Sequence, residues 1–280
     1  MDLAIGLIGT PQRNEVAAIV GDRVYPLAQI GLAGNDLPTV LAGGDAMLER
    51  IEVAVAAAGP GGSVPLAGAG LRAPITPASK IVCLGDAFIS HLIAGNDEIP
   101  EAVGVFYKMT QDVIGPGESI VIPRNWKGRR LVAGTEMALV IGRRGRYIPP
   151  EQVWDHVWGY TILNDVTLKK MAPNLGPTNK VFETSSPVGP YLVPKRAVPD
   201  PRSLALLMRI NGREVQRGHT SDMRFEMAES VSEVSNWHTL EPGDIIATAD
   251  IGSTDWLEPG DEVECEVEGV GILANSVRQD

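Results

Sequence analysis

In the stretch LVAGTEMALVIG, residues 131–142, one carboxylate interrupts an apolar run. Alternation along a strand puts Gly134, Glu136, Ala138 and Val140 on one side, and Thr135, Met137, Leu139 and Ile141 on the other. Both sides are apolar enough to be covered, which makes Glu136 a buried charge. Burying a carboxylate is costly unless a cation or strong hydrogen-bond donors meet it. What Glu136 can do therefore depends on what it faces. Few other residues have the spacing for chemistry. Cys83 and Cys265 lie far apart in apolar or strand-like contexts and form neither a C-x-x-C metal pattern nor a disulfide framework. His156, His219 and His238 have no partner at ligand spacing. Thr220, Ser221 and Asp222 suit a hydrogen-bonded turn better than a reaction. Trp126, Trp237 and Trp256 suit core packing, or the wall of an apolar pocket.

The elements that must position these residues are short. The chain has 280 residues, 44% hydrophobic and 21% charged, which is room for one large globular domain and a small one. Residues 15–27, EVAAIVGDRVYPL, predict two strands joined at Gly21 and Asp22. Residues 37–59 predict helices, with Asp45 capping the second. Residues 58–80, rich in Gly, Pro and Ala, predict a linker running extended between two packed units. From residue 80 onward short apolar strands recur between Pro-Gly turns, and Val263, Cys265 and Val267 alternate with glutamates as in a half-exposed strand.

The net charge of −11 argues against nucleic acid or an anionic membrane as partner. Basic residues at both ends of the apolar stretch (Lys127, Arg129 and Arg130; Arg143, Arg144 and Arg146) read as solvated strand ends. The first residues lack a signal-peptide pattern, and no apolar run approaches the roughly 18 residues of a membrane span. A cytoplasmic protein is expected.

Several segments, in order, resemble the fumarylacetoacetate hydrolase family: KIVCLG followed by His91, VFYK ending in Lys108, IGPGESIVIP, EMALVIGRRGR, GYTILNDVT, NKVFETSSPVGPYLV, TSDM, LEPGDIIAT and LEPGDEVECEVEGVGIL. The likeness runs from about residue 80 to the C-terminus and more loosely over the part before it. It implies a mixed, β-rich fold: a small N-terminal α/β domain over residues 1–75 and a twisted β-roll catalytic domain over 76–280. It also implies a homodimer, a small-molecule substrate, and Mg²⁺ or another divalent cation held by carboxylates. Carried over position by position, Glu136 and Asp165 match metal ligands, and His91 and Lys180 match catalytic residues. Lys108, Thr220 and Trp256 are the candidate substrate contacts. Three departures stand out. Gly134 replaces the first glutamate of an E-x-E pair, Ala94 replaces the histidine's partner glutamate, and ADIGSTDW replaces a G-T-P-x-G loop.

Mg²⁺ keeps several waters and needs only one or two protein carboxylates when substrate supplies further oxygens. Glu136 and Asp165 could therefore hold it, and Gly134→Glu is expected to strengthen the site. The rival partner for the carboxylates is Lys180, in an ion pair with no metal. The function expected is enolate chemistry on a 2-oxo or 1,3-dicarbonyl acid: C–C hydrolysis, decarboxylation or isomerisation. Two other readings remain open: a metal-independent cyclase, lyase or isomerase with a roomier pocket near Trp256, and a non-catalytic binding or scaffold member of the family.

Overall fold

The computed structural model describes residues 2–10, 13–85, 87–88, 101–102, 104–124, 130–169, 179–252 and 254–280. His91, Ala94 and Trp126 lie outside the described residues. The chain opens with the strands Leu3–Thr10 and Arg13–Val20, paired antiparallel from Leu3↔Val20 to Thr10↔Arg13. Gly21, at φ 58, supplies the left-handed residue that the expected turn needs, and Arg23–Pro26 returns along Arg13–Val20.

Two helices follow, Leu37–Ala42 and Gly44–Ala58. Asp36 caps the first by accepting the Thr39 N–H at 2.9 Å. Asp45 does not cap the second. Gly43 holds that position, and Asp45 lies inside the first turn, where a negative charge favours the helix N-terminus without capping it. Residues 58–80 are not an extended linker either. They bind to the first sheet, Val64–Pro65 against Arg23–Pro26 and Leu71–Arg72 against Leu3–Thr10. Their Gly and Pro content announces irregular backbone, but Leu66 and Leu71 give that backbone apolar surface to pack with.

The sheet continues in space across residues 75 and 76. Ile5 faces Leu192 on the strand Ser186–Pro194, and the order runs on through Val157–Asn164, Thr135–Ile141, Ile245–Ala247, Ile81–Gly85 and Gly104–Lys108. Ile245–Ala247 and Ile81–Gly85 are parallel, while most other neighbours are antiparallel, so the sheet is mixed. A second sheet is ordered Arg213–His219, Ala205–Ile210, Glu262–Val267, Gly271–Gln279, Ile120–Ile122. Its strand Glu262–Val267 buries Val263, Cys265 and Val267, as the alternation predicts. The architecture is β-rich with few helices, and no helix among the described residues is long and apolar enough to cross a membrane.

The strand Thr135–Ile141 is buried on both sides. Met137, Leu139 and Ile141 belong to the large core shared with Met208, Cys265 and Leu273 of the second sheet. Thr135 ties the two sheets together, donating from Oγ1 to the Leu207 carbonyl at 3.0 Å. On the other side Ala138 packs with Cys83, Leu163 and Val188. Glu136 belongs to that second side.

Candidate active site

Glu136 faces two other carboxylates. One oxygen each from Glu136, Asp165 and Asp250 lie within 4.8 Å of one another, close to the roughly 4.2 Å across an octahedral Mg²⁺ with ligands at about 2.1 Å. Three segments bring them together. Thr135–Ile141 pairs with Val157–Asn164 in the register Glu136↔Leu163, and where that pairing ends the Asp165 N–H donates to the Gly134 carbonyl at 2.9 Å. Ile245–Ala247 pairs on the other side, Ala138↔Ala247, so its continuation carries Asp250 back beside residues 134–136. The turn is closed on Glu136 itself: the Ala249 N–H donates to Glu136 Oε2 at 3.2 Å.

Two lysines attend Asp165. Lys180 donates to Asp165 Oδ2 and to Thr167 Oγ1, the latter at 3.1 Å, and lies over the Phe106 ring with its nitrogen 4.5 Å from the centroid. Lys108 Nζ stands 2.8 Å from Asp165 Oδ1. Its N–H groups also reach the carbonyls of Val166, Lys180 and Ser185, so the ammonium is shared between Oδ1 and the backbone. A carboxylate oxygen carries two lone pairs, so Oδ1 keeps one that suits a further cation.

The electrostatics follow from this placement. Burial alone would raise the pKa of Asp165, yet Lys108 and Lys180 outweigh it and hold the group down at about 2. Glu136 is pushed well above the ordinary carboxylate range by burial and then by the charges of Asp165 and Asp250, which the lysines only partly offset. Burial disfavours the Lys180 ammonium, but Asp165, with Glu136 and Asp250 beyond it, keeps its pKa above the usual lysine value. Burial next to these carboxylates drives the Cys83 thiol well up, so it is neither nucleophile nor ligand. Three carboxylates against two ammonium groups, with one carboxylate held in an unfavourable charge state, is a donor set that fits a divalent cation.

The cluster opens into a cavity of about 250 Å³. Glu136, Asp165, Asp250, Lys180 and Lys169 give it a polar side, and Phe88, Phe106 and Val132 an apolar one. The structure thus unites Glu136, Asp165 and Lys180, as the sequence expects. It treats the three candidate substrate contacts differently. Lys108 is fully buried behind Asp165, out of the cavity lining, where it binds protein carbonyls instead of a ligand. Thr220 is buried in a reciprocal pair, accepting the Leu204 N–H at 3.0 Å and donating its own N–H to the Leu204 carbonyl at 2.9 Å. Trp256 is 43% exposed and is not among the lining residues.

Sequence reasoning missed Asp250 and Lys169. The signal for Asp250 was Gly134 itself. A Cβ built there would sit 2.5 Å from Asp250 Oδ2, so the glycine marks room taken by another side chain. Gly134→Glu is therefore expected to clash rather than to strengthen the site. Lys169 could have been found from its place four residues after Asp165, on a strand, Thr167–Lys169, that lines the same cavity.

Comparison with known proteins agrees with this geometry. The model of the fumarylacetoacetate (FAA) hydrolase C-terminal domain matches residues 80–278. The mitochondrial oxaloacetate tautomerase FAHD2A of Bos taurus is 35% identical over 219 residues, 73% of this chain and 68% of that protein. The crystal structure of maleylpyruvate hydrolase from Sphingobium sp. SYK-6, in complex with manganese(II) ion and pyruvate, superposes with a TM-score of 0.82 at 26% identity, covering 100% of this chain and 99% of that one. A 5-carboxymethyl-2-hydroxymuconate delta-isomerase from Mycobacterium smegmatis gives 0.78 at 29% identity, covering 99% and 100%. With these enzymes as its relatives and structural neighbours, and with a family model spanning more than half its length, the chain is an enzyme and belongs to the fumarylacetoacetate hydrolase family.

Proposed function

We propose that this enzyme moves a proton on a small 2-oxo dicarboxylate, interconverting its keto and enol forms, with Mg²⁺ or Mn²⁺ held by Glu136, Asp165 and Asp250. The observation that carries the reading is the gathering of these three carboxylates beside Lys180 in one cavity. When bound there, a divalent cation polarises the 2-oxo carbonyl and makes the adjacent carbon more acidic. Lys180, fixed by Asp165, Thr167 and the Phe106 face, points a cation at the oxygen where enolate charge develops. Lys169 lines the same cavity, and among the described residues no ion pair engages it, which suits it to a substrate carboxylate. The cavity volume favours a short acid over a larger metabolite.

Tautomerisation asks only for a stabilised enolate and a proton carrier, and the named relatives at 32–35% identity over roughly three quarters of the chain are oxaloacetate tautomerases. C–C hydrolysis of an acylpyruvate is the second reading, favoured by the likeness to a maleylpyruvate hydrolase structure that holds pyruvate. It shares the enolate and adds an activated water. The family resemblance also carries a homodimer, which sedimentation equilibrium would test.

The deciding assay follows loss of enol absorbance from oxaloacetate, with chelator-stripped protein and with protein reloaded with Mg²⁺ or Mn²⁺. Acceleration that depends on the ion supports tautomerisation. Pyruvate release from an acylpyruvate, with no effect on the oxaloacetate enol, would replace it with hydrolysis. Equal rates in the stripped and reloaded protein would return the site to a metal-free mechanism.

A further inference from the structure

We propose that Asp250 takes the ligand position that a side chain at 134 would otherwise fill, so that the divalent-cation site is completed from the turn 248–252 instead of from the strand Thr135–Ile141. This rests on the cation reading above and goes beyond it in assigning an exchange of ligand position between residues 134 and 250.

A Cβ at Gly134 would lie 2.5 Å from Asp250 Cβ, 2.5 Å from its Oδ2 and 2.8 Å from its Cγ. No side chain at 134 can coexist with the Asp250 carboxylate where it stands. Position 134 lies on the same side of its chain as Glu136, so a carboxylate at 134 and the carboxylate of Asp250 compete for one place beside Glu136.

The turn is built to place Asp250 there. The register Val140↔Ile245, Leu139↔Ile246, Ala138↔Ala247, continued by three positions, puts Asp250 opposite Thr135. The backbone does not simply continue as a strand. Ala249 adopts φ 74, a left-handed conformation unfavourable for any residue with a Cβ. That kink lets one short segment serve the cluster twice, with the Ala249 N–H on Glu136 Oε2 and the Asp250 side chain against Gly134. The Gly252 N–H, 3.0 Å from Asp250 Oδ1, fixes the carboxylate's orientation.

Asp165 Oδ1 is buried, and among the described residues Lys108 Nζ, 2.8 Å away, meets one side of it. A carboxylate oxygen carries a second lone pair, which the lysine leaves for another cation. A cation between Asp165, Glu136 and Asp250 would use that lone pair and link the turn 248–252 to both central strands.

Isothermal titration of Mn²⁺ into the chelator-stripped chain tests the exchange. Asp250→Asn keeps the shape and should weaken Mn²⁺ binding at least about tenfold, the scale already seen when only an outer-shell partner is lost. Gly134→Glu alone should bind less Mn²⁺ and melt at lower temperature. In Gly134→Glu/Asp250→Ala the space is free for the new carboxylate, and affinity should return to within a few-fold of the parent, well above Asp250→Ala. A parent-like affinity in Asp250→Asn would overturn the assignment, as would a double variant no tighter than Asp250→Ala. If the parent itself takes up no Mn²⁺, the cation reading fails along with the exchange.

Discussion

Asp165 and Glu136 are both almost fully buried and belong to one cluster, yet their surroundings are opposite. Asp165 stands between Lys108 and Lys180, and its charge is favoured. Among the described residues, Glu136 has one backbone N–H for a partner and two carboxylates for neighbours. The difference separates two jobs. The Asp165 side is a prebuilt ion network that orients a cationic side chain toward the cavity. The Glu136–Asp250 side is an excess of negative charge that becomes favourable when a dication is present.

The largest effect should come from breaking the first side where it is deepest. Lys108→Met removes the ammonium that compensates Asp165 and costs the Lys180 and Ser185 carbonyls, each 2.9 Å from Nζ, one of their donors. Removing one partner of a buried pair costs about 3–5 kcal/mol, and denaturant unfolding should show a loss of that size. A loss below about 1 kcal/mol, the range of an exposed pair, would mean that Lys108 does not hold Asp165 in place.

Lys180→Met acts on the same carboxylate with a different result. The Lys180 side chain is 25% exposed at the cavity, and Lys108 remains to compensate Asp165. Stability should therefore fall less than in Lys108→Met, while turnover falls about a hundredfold, the scale for losing one stabiliser of a developing oxyanion. Unchanged turnover would remove Lys180 from the reaction.

The two carboxylates should also respond to pH with opposite sign in the metal-free protein. Asp165 is depressed, so its contribution is present above its ordinary value of 3.8 and is lost as pH falls through about 2. Glu136 is raised, so its contribution is complete below its ordinary value of 4.5 and is lost as pH rises through the folded value. At pH 7 and without metal, Asp165→Asn should destabilise the protein. Glu136→Gln should stabilise it by about 1–3 kcal/mol, the scale of an unsatisfied buried group. Adding Mn²⁺ should reverse the order for Glu136→Gln, since the variant has lost a ligand and gains less from the ion than the parent does. A Glu136→Gln variant less stable than the parent without metal would contradict the repulsion assigned to the Glu136 side.

The legibility of these two sides in the sequence differed for a physical reason. Glu136 showed itself because a charge inside an apolar alternating segment is locally conspicuous, and the same local pattern fixed the buried face of Glu262–Val267. Asp250 did not, because its role depends on the pairing of Ile245–Ala247 with Thr135–Ile141, a register between segments more than a hundred residues apart. Lys108 looked like a ligand contact for a similar reason: nothing near it in sequence shows that the Ser185 and Lys180 carbonyls surround its nitrogen. Composition misled at residues 58–80, where Gly and Pro described the backbone but not the sheet edges it binds.

The smallest effect tests how firmly the Glu136 side is held. Ala249 at φ 74 costs about 1–2 kcal/mol relative to an ordinary conformation. Glycine there would relieve this but would gain about 0.4–1 kcal/mol more disorder in the unfolded chain. Ala249→Gly should thus raise stability only slightly, by about 0.5–1 kcal/mol, if the turn keeps its shape. Its shape matters because the Ala249 N–H donates to Glu136 and the next residue is Asp250. If the methyl group helps to lock the turn, the glycine variant will lose stability and Mn²⁺ affinity together as that N–H drifts from Glu136. Thermal unfolding and Mn²⁺ titration of this one variant then distinguish a turn held by its own backbone from one held by the carboxylates it serves.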